Sequence, residues 1–147
     1  MIQNKSLYDV YKDIRAKIEE LLSTSEDLND IQDVIYGERQ RVGSIKTPAI
    51  WIVPSSYTPQ VSGGQRAIHD IPFDFVTFVK HQQPQEGLKL AQDYAMKIYD
   101  VMLADRTLDG LVSDIRPSRI DPAYEVGQST QIYWSAVQMT YRLQRRE

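Results

Sequence analysis

Apolar positions recur along this chain with two periods, one near 3.6 residues and one of two. In "SLYDVYKDIRAKIEELL", Leu7, Tyr11, Ile14, Ile18 and Leu21 fall at steps of three and four, which predicts an amphipathic helix. Lys12, Asp13, Arg15, Lys17, Glu19 and Glu20 lie largely off that stripe and read as a solvated face. Ser6 stands where a cap belongs, with Asp9 in the acidic place of a capping box. A second helix is predicted in "QQPQEGLKLAQDYAMKIYDVMLA". There Pro84 suits the first turn, Glu86 suits the positive end of the dipole, and Leu88, Ala91, Ala95, Ile98 and Met102 form the buried stripe.

The period of two marks the strands. "IQDVIYGERQR" predicts a short strand from Ile31 to Tyr36 ending at Gly37, and Gly43 marks a turn into "TPAIWIVP". The run Ala49, Ile50, Trp51, Ile52, Val53 implies burial on both faces. In "AIHDIPFDFVTFVKH", Phe73, Phe75, Thr77 and Val79 alternate with Asp74, Val76, Phe78 and Lys80, and Pro72 points to an edge position or a bulge. After an Asp109-Gly110 turn, "LVSDIRPSRI" predicts a fourth strand, "DPAYEVGQST" a loop, and "QIYWSAVQMTYRLQ" a long final strand. Tyr133, Ser135, Val137, Met139, Tyr141 and Leu143 share one face of it; Trp134, Ala136, Gln138 and Thr140 share the other. The expectation is an α+β fold: a mainly antiparallel sheet of four to five strands, mostly hairpin-linked, with two helices packed on one face.

The 147 residues are enough for one domain, spanning 1–147, and the apolar (41%) and charged (25%) fractions exclude wholesale disorder. A net charge of -3 argues against a dedicated nucleic-acid binder. Without cysteine there is no disulfide framework, thiolate nucleophile or cysteine-based zinc site. No apolar leader opens the chain and no run reaches membrane-spanning length, so folding in a cytoplasm is expected.

One stretch, "VPSSYTPQVSGGQRAIHD", is too polar for core and too long for a simple turn. Its Gly63-Gly64 pair is not a phosphate loop, because it leads into a strand and lacks the lysine of the Walker pattern; "GSIKT" fails likewise. His69 and Asp70 are adjacent on a strand, so they point to opposite faces, and Ser55, Ser56 and Ser62 lack a nucleophile-elbow context. "DLNDIQD" has the acidity of a calcium loop without its central glycine and closing glutamate. The basic runs "GERQR" and "RLQRR" are weak clusters, and the aromatics of the last strand read as core rather than as a base-stacking platform. No catalytic, cofactor or metal residues are assigned. Segment 54–66 is expected to be a protruding arm, with Tyr57, Gln60, Val61, Arg66 and His69 as contacts to another protein.

With these pieces in order, the chain resembles the tail-terminator, or tail-completion, proteins of long-tailed bacteriophages. The resemblance rests on the N-terminal helix followed by "DVIYGE" and "TPAIWIVP", then "IPFDFVTFVK" running into "EGLKLAQDYAMKIYDVML". It continues through "ADRTLDGLVSDIRP" and the final "YWSAVQMTYRLQ", and so covers nearly the whole chain by element order rather than by an invariant motif. It implies a virion structural protein without catalysis. Its subunits would form a ring, commonly a hexamer, between the tail tube protein and the head-tail connector, assembled in the host cytoplasm. Genomic DNA would pass through the lumen without specific binding, and no membrane is involved. Other neck or head-tail joining subunits share the pattern. A small ligand-binding or enzyme domain on a ferredoxin-like sheet, and a nucleic-acid-binding module, are the readings of other classes.

Overall fold

A computed structural model describes residues 2–3, 5–37, 46–127 and 131–146. Seven strands form one sheet: β1 (Ile2–Gln3), β2 (Asp33–Tyr36), β3 (Ala49–Pro54), β4 (Gln60–Ser62), β5 (Arg66–Lys80), β6 (Asp114–Glu125) and β7 (Ile132–Arg146). Helices α1 (Leu7–Thr24) and α2 (Pro84–Leu103) cover one face. The α+β class, the mostly antiparallel sheet and the two helices are as the pattern indicated, and two short strands, β1 and β4, join the five marked by sequence.

The centre of the sheet is the antiparallel pair β5·β7, in register from Arg66↔Arg146 to Lys80↔Ile132. On the far side of β7 lie β6 and, beyond it along the strand, the parallel β1; on the far side of β5 lie β3 and then β4. The alternation in β5 and β7 sets the two faces as expected. Phe73, Phe75, Thr77 and Val79 meet Tyr133, Ser135, Val137, Met139, Tyr141 and Leu143 under the helices, all buried.

Three expectations are revised. First, β2 and β3 are parallel, with Asp33 opposite Ala49 and Tyr36 opposite Ile52, not an antiparallel hairpin. Gly43 and residues 38–45, where the turn was expected, lie outside the described residues. Second, "DPAYE" belongs to β6, whose register shifts at Pro117/Arg119 and Asp121/Tyr124 absorb its prolines on an edge strand. Third, Pro72 lies in a central strand. Its carbonyl accepts the Ser55 N–H (3.1 Å), so its nitrogen faces the same way, toward the gap between β3 and β4. No ladder donor is lost there.

Ser6 caps α1 by accepting the Asp9 N–H (3.1 Å). The fully buried line of α1 is Val10, Ile14, Ile18 and Leu22, with Leu7, Tyr11 and Leu21 half-buried beside it. The fully buried line thus includes Val10 and Leu22, which the sequence reading left out. Each such side chain contributes roughly 1.5–3 kcal/mol on burial. In α2, Gly87, Ala91, Tyr94, Ala95, Ile98 and Met102 are buried. Gly87 is required by distance: a Cβ there would lie 2.3 Å from the Tyr133 ring. Neither helix is long and apolar enough to cross a membrane.

Candidate interaction surface

The polar stretch between β3 and β5 is built as an arm bound to the sheet for most of its length. Residues 55–59 run along β5 past Asp70–Asp74, and β4 then pairs with β5 as a hairpin, Gln60↔Ile68 to Ser62↔Arg66. Side-chain contacts add to the bond from the Ser55 N–H to the Pro72 carbonyl in holding residues 55–59. Ser55 Oγ donates to Asp74 Oδ2 (3.1 Å), and the Tyr57 hydroxyl meets His69 Nδ1 (2.9 Å) with the rings edge-on at 5.7 Å. His69 is buried on the helix side of β5, and Tyr57 is half-buried against the core. These two residues of the proposed contact set therefore act within the chain, as the tether of the arm.

Gln60, Val61 and Arg66 lie exposed in the hairpin itself, and Val61 at 72% exposure is the most open large apolar residue described. The tip turns through Gly64 (φ +82°) and Gln65 (φ 63°), and a Cβ on Gly63 or Gly64 would meet nothing within 4 Å. The left-handed geometry explains the glycine at 64, and the empty surroundings make the tip a projection. Basic residues gather at this end of the sheet: Arg66 faces Arg146 across the strands, and Arg145 reaches the Lys5 carbonyl (3.1 Å).

The helix-free face divides along β5 and β7. Toward the hairpin it carries ion pairs. Arg142 grips Asp70 with two bonds, Nε to Oδ1 at 2.8 Å and a terminal nitrogen to Oδ2 at 3.0 Å. The bonds from Arg142 hold the Asp70 carboxyl below the usual carboxylate range. Arg106 and Arg116 flank Asp114 (3.2 and 3.3 Å), and Arg119 bonds Asp121 (3.2 Å) and lies 3.5 Å from Asp74. Hydrogen bonding from Arg106 depresses Asp114 in the same way.

Toward the other end the same face is apolar. Register places Ala49, Phe78, Trp134 and Tyr124 in one row across four strands, with Ile35, Trp51, Val76 and Ala136 in the next. Trp51 packs on Phe78 (centroids 4.4 Å) and Tyr124 on Trp134 (5.0 Å). Trp51, Val76, Phe78, Val126 and Trp134 line an open groove of about 280 Å³. That is at or below the small end of small-molecule pockets, roughly 300–1,000 Å³. The Trp51 indole N–H is buried with no acceptor among the described residues.

The sequence reading left this groove out. Its signal was present: "AIWIVP" is apolar at every position of β3, and Val76, Phe78 and Trp134 are large apolar residues on a face that carries Asp70, Asp74, Gln138, Thr140 and Arg142 further along. Of the remaining motifs, Asp30 in "DLNDIQD" accepts a short hydrogen bond from the Tyr94 hydroxyl. Among the described residues, no three acidic or histidine groups converge as a metal would need. His69 and Asp70 lie on opposite faces, each with its own partner. Arg39 and Arg41 of "GERQR" lie outside the described residues.

No family model matches this chain, and no curated protein resembles it significantly.

Proposed function

We propose that the chain is a structural subunit of a phage virion: a ring-forming protein that ends the tail tube and offers a docking face to the head connector. One observation carries the reading. The protein presents two unlike surfaces at opposite ends of its longest strands, a projecting hairpin and an apolar groove on the sheet face opposite the helices. A closed ring is built from heterologous contacts, each subunit giving one surface and receiving with another. The order of elements supports the resemblance that suggested the reading, since each quoted segment occupies the strand or helix assigned to it. The long edge of the sheet offers less than these two surfaces. The long edge strand β6 carries Pro117 and Pro122 and two irregularities, features that blunt strand addition.

The test is a virus lacking this gene. Tails of irregular length, or complete tails unjoined to heads, are expected, and electron microscopy of the purified protein should show rings, hexameric in the simplest case. Tails of normal length with heads unjoined would move the subunit to the neighbouring neck. Normal virions would exclude a role at this junction.

A further inference from the structure

We draw no further inference here: the strongest candidate, the apolar Trp51–Phe78–Trp134 groove on the sheet face opposite the helices, carries nothing further, because nothing in the structure shows what covers it.

Discussion

The Tyr57 hydroxyl lies 2.9 Å from Nδ1 of the buried His69, and this pair binds the polar arm to the sheet. It converts a segment that lacks regular structure between β3 and β4 into a fixed course along β5. Tyr57→Phe removes one hydrogen bond to a buried ring and should destabilise the protein by about 1 kcal/mol. Tyr57→Ala also removes packing, and should open residues 55–62 to limited proteolysis before the rest of the chain. Equal protease resistance in both proteins would show that the arm is held elsewhere.

Asp70 and Arg142 couple the two central strands across the helix-free face. The sign of the pH dependence follows from the depressed Asp70 carboxyl. Its folded value lies below the ordinary 3.8, so its contribution is fully present above that value and is lost as pH falls below it. Asp114, held down by Arg106, and Asp105, held down by the Asp109 N–H, act in the same direction. Denaturation midpoints should fall steadily from about pH 5 downward. Asp70→Asn should flatten part of that slope while lowering stability at pH 7, measured by urea unfolding at each pH.

Tyrosines give the opposite limb. Burial raises Tyr141 and Tyr94, and the Asp30 carboxylate raises Tyr94 further. Their folded values lie above the ordinary 10.0, so the stabilisation is intact below 10 and is lost as pH rises through and beyond it. Thermal midpoints should decline above about pH 10, with delayed phenolate absorbance relative to unfolded chain. Ionisation of every tyrosine near 10 without loss of structure would contradict the burial.

Gly87 is set by Tyr133. Alanine in a helix interior ordinarily stabilises by up to about 1 kcal/mol relative to glycine. Here its methyl would lie 2.3–2.4 Å from ring carbons of a buried tyrosine, so the steric cost decides the sign. Gly87→Ala should destabilise by roughly 1–3 kcal/mol. Combined with Tyr133→Leu, the loss should be smaller than the sum of the two single changes, a coupling read from a double-mutant cycle.

Thr77 is fully buried and its hydroxyl has no partner among the described residues, whereas the facing Ser135 donates to the Ala91 carbonyl at 2.5 Å. Replacing an unsatisfied buried hydroxyl by a methyl of similar shape removes a desolvation cost. Thr77→Val should raise stability by about 1 kcal/mol, or roughly 2–4 °C for a domain of this size. Ser135→Ala, by contrast, should lower it.

Local pattern decided a great deal of this protein. Strict alternation in β5 and β7 fixed which residues face the helices, because a strand's side chains must point to alternate sides. The Ser6 cap, the proline at the start of α2 and the Asp109-Gly110 turn were legible for the same reason: each depends on dihedral preferences and hydrogen bonds within a few residues. What the alternation could not contain was any relation between distant segments. The parallel pairing of β2 with β3, the burial of His69 under Tyr57, and the neutralisation of Arg142 by Asp70 each join residues brought together only by folding. The groove is the sharpest case. Trp51, Val76, Phe78 and Trp134 come from three strands, and only their register places them side by side, on the face the helices leave open. Hydrophobicity is a property of each residue, whereas a binding surface is a property of their arrangement.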